Sequence, residues 1–161
     1  MEPRSRIRTL LTAWAVAASL LLAAAFARVR ADEGPLLPEP ELAGFMADLQ
    51  HHTHKLDLSI AAENPELAGF YLHEVEEVAE QVERLFPHYD GAAVAALVRS
   101  LLLPRLGTLR VSIEAARWDE ARSGLSDLVA SCNACHAAAG HGFIRVEVTD
   151  ANPFNQSFAK P

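Results

Sequence analysis

The chain has 161 residues, half of them hydrophobic, and its 14 basic and 21 acidic side chains give a net charge of −7 with the histidines neutral. This acidic balance argues against nucleic acids and anionic membranes as partners, because both repel a negative surface.

The first 31 residues have the pattern of a secretory signal peptide. Three arginines precede a charge-free apolar run over residues 10–27, and Val29-Arg30-Ala31 places small residues at the −3 and −1 positions of a cleavage site. The alternative is an uncleaved anchor, because about 18 apolar residues nearly span a bilayer. The short polar flank and the cleavage pattern favour the signal peptide. We therefore expect export, and no membrane association once the signal is removed.

Cleavage after Ala31 would leave a mature chain, residues 32–161, of 130 residues. This length suits one domain with a single core. Nine basic and 20 acidic side chains would remain, a net charge of −11. Such a surface suits a protein partner with a basic docking patch, and an acidic surface that serves solubility alone is the alternative.

The mature chain begins with a proline-rich leader over residues 32–40 and then shows two helical patterns. Apolar residues recur at helical spacing from about residue 41 to 63, which predicts a first helix. Asn64-Pro65 is typical of a helix start, and the second helix should extend to about residue 86. Its predicted buried stripe comprises Leu67, Phe70, Tyr71, Val78, Val82 and Leu85.

Two further helices are predicted after the Asp90-Gly91 turn. The third should run from about residue 92 to 116 with a kink before Pro104, and the fourth, capped by Asp119, should end near Gly140. Four amphipathic helices joined by short loops predict an all-α fold, an antiparallel four-helix bundle. An irregular or extended C-terminal tail should follow from about residue 141.

The pentapeptide Cys132-Asn133-Ala134-Cys135-His136 carries the main functional signal, because CxxCH is the attachment motif of c-type haem. Residues three apart on a helix share a face, so both sulfurs can reach the two vinyl groups of a porphyrin, and the histidine can ligate the iron. A redox dithiol usually follows a strand, which is missing before the motif. A zinc site, with His141 as fourth ligand, lacks the usual two separated ligand pairs. A simple disulfide is the third alternative.

The signal peptide, the length of the mature chain, the four helices and the single CNACH motif late in the last helix together resemble cytochrome c prime and its four-helix relatives. The resemblance implies one haem c per chain, bonded to Cys132 and Cys135 with its iron ligated by His136. It also implies a periplasmic location and, often, a homodimer. In this family an apolar side chain of helix one usually fills the distal side and leaves five-coordinate iron that binds nitric oxide or carbon monoxide. Relatives with a sixth protein ligand are electron carriers.

Helix one supplies the candidates for the distal side of the iron. In an antiparallel bundle the motif lies at the depth of Phe45, Met46 and Leu49, and the thioether of Met46 is a potential ligand. A core methionine that fills space is the alternative for Met46. His52, at the edge of the apolar stripe, becomes a second candidate ligand if the haem lies one turn deeper, with a half-buried structural histidine as the alternative.

The tail continues beyond the usual end of the family. Phe143, Phe154 and Phe158 are candidates to cover a haem edge, and His141 and Arg145 are candidates to contact a propionate. A tail without such a role is the alternative.

No catalytic acid, base or nucleophile constellation is visible, so we do not expect an enzyme. The sequence predicts a periplasmic monohaem c-type cytochrome that carries one electron between redox partner proteins. A five-coordinate haem protein that sequesters or senses nitric oxide or carbon monoxide is the alternative function. A zinc or thiol structural module is the third.

Overall fold

The computed structural model describes residues 40–160, so the predicted signal peptide and nearly all of the leader lie outside the described residues. The helices are α1 (Leu42–Ala61), α2 (Pro65–Leu85), α3 (Val94–Leu97), α4 (Leu103–Glu114) and α5 (Trp118–Ala138), and a π-helical segment, Val98–Leu102, joins α3 to α4. Residues 40–160 contain no strand, which confirms the predicted all-α class for this region. None of their helices is long and apolar enough to cross a membrane.

The connection between α1 and α2 depends on Asn64, as predicted. Its side-chain oxygen accepts a hydrogen bond of 3.2 Å from the amide of Leu67, and Pro65 occupies the first helical position. Proline fits there because the missing amide hydrogen has no partner within the helix in any case. The local sequence therefore determines where α2 begins.

The third predicted helix is interrupted where the kink was expected. The amide of Leu103 donates to the carbonyl of Val98, five residues earlier, and Pro104 follows directly. Proline has no amide hydrogen to donate to the carbonyl four residues earlier, so one α-helical hydrogen bond is missing here in any case. The wider π turn lies next to this missing bond.

The prediction that Asp119 caps the fourth helix is wrong. Helix α5 begins at Trp118, its N-cap position is Arg117, and Asp119 lies within the first turn. There its carboxylate accepts a 2.7 Å hydrogen bond from Arg122. An acidic residue in this turn still interacts favourably with the helix dipole.

The long helices share one apolar core. Helix α1 packs against α2 and α5, and α4 also packs against α2 and α5. Two members of the predicted α2 stripe are exposed instead: Phe70 by 53% and Leu85 by 41%. Phe70 lies about 200° around the helix from buried Leu72, and Leu85 is the last residue of α2. The largest fully buried apolar side chains are Leu56, Ile60, Leu72, Val75, Val82, Leu106, Leu109 and Leu128.

The tail, residues 139–160, has neither helix nor strand, as predicted, and packs against α1 and α2. His54 on α1 contacts the carbonyl oxygens of Thr149 and Ala151 at 3.2 and 3.0 Å. Since a carbonyl only accepts, the Nε2 atom of His54 carries the proton and donates to both. The buried Asn64 side chain donates to the carbonyls of Phe158 and Ala159. The tail is therefore attached along its length to the helical domain.

Candidate functional site

The three motif residues lie in the last two turns of α5. Because Cys132, Cys135 and His136 are separated by three and four positions, they share one side of the helix. Cys132 is partly buried and packs against the core, whereas Cys135 and His136 are each partly exposed. The site thus begins at the core and opens toward solvent.

Both cysteines are free thiols. Burial, with a smaller contribution from Cys135, raises the pKa of Cys132 to about 11, and burial also raises the pKa of Cys135. Catalytic dithiols need the opposite, a lowered pKa that makes a thiolate at neutral pH. The environment of these thiols is therefore unlike that of a redox dithiol.

The end of α5 folds the chain back toward the motif. Gly140 has φ of +79°, the left-handed conformation that ends many helices, and the amide of His141 donates to the carbonyl of His136 at 2.7 Å. A turn follows in which the amide of Ile144 donates to the carbonyl of His141 at 2.9 Å. These two local steps bring the carbonyl of Ile144 next to the His136 ring.

The Nδ1 atom of His136 lies 3.0 Å from the carbonyl oxygen of Ile144. Since that oxygen only accepts, Nδ1 carries the proton and donates, which leaves the lone pair of the neutral ring on Nε2. Histidines that bind metals usually donate their second nitrogen to a carbonyl or a carboxylate in this way, which fixes the tautomer and raises the basicity of the ligand. The ring of His136 is therefore prepared for coordination through Nε2.

Asn133, between the two cysteines, makes two hydrogen bonds to the backbone of Val146. Its Nδ2 donates to the Val146 carbonyl at 2.9 Å, and its Oδ1 accepts from the Val146 amide at 2.8 Å. Sequence reasoning missed this residue, because the x positions of CxxCH carry no chemical requirement. The sequence contains one hint of this role: an asparagine side chain, which can both donate and accept a hydrogen bond, lies between the two cysteines.

The distal candidates on α1 fall into two groups. Phe45, Met46 and Leu49 are partly buried and pack against the core. His52 faces α2: its Nε2 lies 4.0 Å from a carboxylate oxygen of Glu74, and its ring stacks on Tyr71 with centroids 6.3 Å apart. Among the described residues the buried Nδ1 of His52 has no hydrogen-bond partner.

The tail candidates are dispersed. Phe143 is 81% exposed beside Ile144, and Arg145 is also exposed. The Nδ1 of His141 donates to the carbonyl of Ala139 at 2.9 Å. Phe154 and Phe158 pack on the first two helices: the ring of Phe154 contacts His51 and His54 on α1, and the ring of Phe158 contacts Tyr71 on α2.

The residues of the motif fit a haem c. Two free thiols on one side of a helix and an imidazole with an available Nε2 are the protein groups that this cofactor requires. Within residues 40–160 no three His, Cys, Asp or Glu side chains cluster as they would around a bare metal ion. A porphyrin provides four nitrogens itself, so a haem does not depend on such a cluster.

The sequence matches no family model, and searches of curated proteins and of solved structures returned no match.

Proposed function

We propose that this chain is a periplasmic monohaem c-type cytochrome that carries one electron. Cys132 and Cys135 would hold the haem through two thioether bonds, and Nε2 of His136 would ligate the iron. One observation carries the proposal: Nδ1 of His136 donates to the Ile144 carbonyl at 3.0 Å. This contact gives a CxxCH histidine the tautomer that a metal ligand needs.

A haem bound here supplies an iron that cycles between Fe(III) and Fe(II). The residues of the chain determine how readily it does so. The Ile144 carbonyl keeps the His136 ring in one orientation, and the packing of Cys132 against the core removes one side of the site from water. Ligand basicity and burial both influence a reduction potential.

The architecture and the compartment form part of the same proposal. Short connections between helices that pack against each other support an antiparallel four-helix bundle. The N-terminal 31 residues would be a signal peptide that directs the chain to the periplasm, where haem attachment to CxxCH takes place. The acidic mature surface suits redox partner proteins with a basic docking patch, and the resemblance to cytochrome c prime favours a homodimer.

Covalent haem is the direct test of this proposal. The full chain would be produced together with the haem-attachment machinery and examined by denaturing electrophoresis with haem staining and by mass spectrometry. We expect one haem per chain, and none after Cys132 and Cys135 are both replaced by alanine. A wild-type chain that contains no haem would refute the proposal, and zinc in that chain would favour the structural-module alternative.

Iron ligation is tested by a pair of histidine variants. His136→Ala should retain the thioethers and change the spin state and coordination of the iron in visible and EPR spectra. His73→Ala is the matched control, because this exposed histidine lies on α2, with its Nε2 atom 3.7 Å from a carboxylate oxygen of Glu77. An unchanged spectrum for His136→Ala would contradict the assignment of this ligand.

A second candidate function is the binding of nitric oxide or carbon monoxide at five-coordinate iron. One observation favours it: His52 faces Glu74 on α2, and of the three remaining α1 candidates for the distal side, Phe45 and Leu49 carry no atom that can ligate iron, which leaves Met46 alone. The spin state of the ferrous protein before any gas is added distinguishes the two functions. Low-spin ferrous iron would indicate a sixth protein ligand, and high-spin iron would indicate an open site.

A further inference from the structure

Asn133 and Val146 form a side-chain-to-backbone clamp between α5 and the tail. The amide group of Asn133 donates to the Val146 carbonyl at 2.9 Å and accepts from the Val146 amide at 2.8 Å. A primary amide offers a donor and an acceptor side by side, which here match the carbonyl and the amide of one backbone residue. Both hydrogen-bonding groups of Val146 are thereby satisfied by one side chain.

The clamp lies one helical turn before the proposed iron ligand. Asn133 and His136 are three residues apart on α5, and their partners in the tail, Val146 and Ile144, are two residues apart. The segment Ile144–Val146 therefore connects two neighbouring side chains of the same helix. Asn133 holds one end of the segment, and the other end orients His136.

Apart from the backbone hydrogen bond that the Ile144 amide donates to the His141 carbonyl, little else in the described chain holds this segment in place. Between residues 142 and 148 of the described region, the side-chain hydrogen bonds are the two to Asn133 and the one to His136. Phe143, Ile144 and Arg145 are exposed, so apolar burial adds little there. The next attachments, from His54, reach the tail at Thr149.

We propose that Asn133 is a positioning residue for His136. It holds Ile144–Val146 against α5, so that the Ile144 carbonyl accepts from His136 and would make Nε2 a more basic ligand for a bound iron. A more basic ligand stabilises Fe(III) and lowers the reduction potential. This inference rests on the proposed function, because it takes His136 as the axial ligand.

The experiment compares Asn133→Ala with Asn152→Ala in the full haem-loaded chain. Asn152 is a matched control: its side chain donates to the Gln156 carbonyl at 2.9 Å and accepts from the Phe154 amide at 2.9 Å, entirely within the tail. Hydrogen exchange at the Val146 amide reports the clamp, and solvent exchange of the His136 Nδ1 proton by NMR reports the orientation of the ring. The reduction potential reports the consequence at the iron.

We expect Asn133→Ala to keep the covalent haem. Exchange of the Val146 amide should accelerate about fivefold, because this amide loses its hydrogen bond to Asn133. Exchange of the His136 Nδ1 proton should also accelerate, and the reduction potential should rise. Asn152→Ala should change none of these. Asn133→Asp keeps an oxygen that accepts from the Val146 amide, so its amide protection should lie between those of wild type and Asn133→Ala.

Two results would overturn the inference. One is a His136 Nδ1 proton and a potential that are unchanged in Asn133→Ala; the other is an equal effect of Asn152→Ala, which would indicate general loosening of the tail. Failure of the proposed function is a separate result. A wild-type chain without haem would refute the cytochrome proposal, and the Val146 amide would still report whether the clamp exists.

Discussion

The hydroxyl of Tyr71 on α2 donates a 2.6 Å hydrogen bond to the side-chain oxygen of Gln156, which lies 85 residues later in the tail. The ammonium group of Lys55 on α1 donates to the same oxygen at 3.2 Å and lies 5.2 Å from the centre of the Tyr71 ring. One tail residue thus joins two helices. Phe158, two positions further on, is buried in the same core. The end of the tail therefore belongs to the hydrophobic core.

Phe158→Ala should destabilise the domain, because this side chain is only 7% exposed. Truncation of a buried phenylalanine removes apolar contacts and leaves a cavity, so we expect a loss of about 3 kcal/mol in the free energy of unfolding. Phe143→Ala is the control, since Phe143 is 81% exposed and its loss should cost less than about 0.5 kcal/mol. Urea denaturation followed by circular dichroism measures both, and equal losses would contradict the packing of the tail.

Gly140→Ala should also lower the free energy of unfolding, because φ at this position is +79°. Alanine in the left-handed conformation costs about 1 kcal/mol or slightly more. Gly107→Ala is the matched control: it lies within α4, and an added Cβ there meets open space. That substitution should stabilise the protein by up to about 1 kcal/mol. Thermal unfolding of both variants tests whether the two substitutions change the free energy of unfolding in opposite directions. Two changes of the same sign would contradict the role assigned to the left-handed conformation of Gly140.

The thiols of the haem-free chain should alkylate slowly. Burial raises the pKa of Cys132 from an ordinary value of 9.0 to about 11, so at pH 8 the reactive thiolate is about a hundredfold scarcer than in the unfolded chain. Iodoacetamide labelling followed by mass spectrometry, with and without urea, measures this ratio. Similar rates in the folded and unfolded chains at pH 8 would contradict it.

The same shift predicts how stability depends on pH. Between about pH 9 and 11 the unfolded chain loses the Cys132 proton before the folded chain does, so the unfolded state binds fewer protons. The free energy of unfolding should therefore fall as the pH rises through this range. In the haem-free chain, Cys132→Ser should make the free energy of unfolding less dependent on pH between about pH 9 and 11, as measured by urea denaturation. An unchanged pH dependence would show that other groups cause it.

His52→Ala should leave the spin state of the haem protein unchanged. Its Nε2, the usual ligand atom, faces the Glu74 carboxylate on α2 at 4.0 Å. Visible and EPR spectra of both oxidation states provide the measurement. Met46→Leu is the companion variant, because it nearly conserves volume and removes the thioether sulfur. Conversion from low spin to high spin in either variant would identify that residue as the sixth ligand.

Local signals in the sequence predicted the helices well. Asn64-Pro65 marks the start of α2, the interruption before Pro104 coincides with the π segment, and Gly140 follows the end of α5. Each depends on backbone chemistry within a few residues, which a sequence displays directly. The prediction that Phe70 lies in the core is wrong, because Phe70 is about 200° around α2 from buried Leu72 and therefore faces solvent despite its large apolar side chain.

The course of the tail and the role of Asn133 could not be predicted. Asn133 and Val146 are 13 residues apart, and His54 lies 95 residues from its first carbonyl partner, Thr149. The tail has no periodic pattern that would indicate which face it contacts, and backbone carbonyls look the same in every sequence. The thiols and the imidazole were identifiable because their chemistry depends on residue type and close spacing.

The hydrogen bonds from Asn64 to the carbonyls of Phe158 and Ala159 join positions 94 and 95 residues apart. Contacts of such large sequence separation carry a large loop-closure cost and slow folding. Asn64 also caps α2, so this corner of the molecule can form early through its local bond and acquire its distant partners only when residues 158 and 159 reach it. The core around Asn64 is thus completed by residues that lie 94 and 95 positions further along the chain.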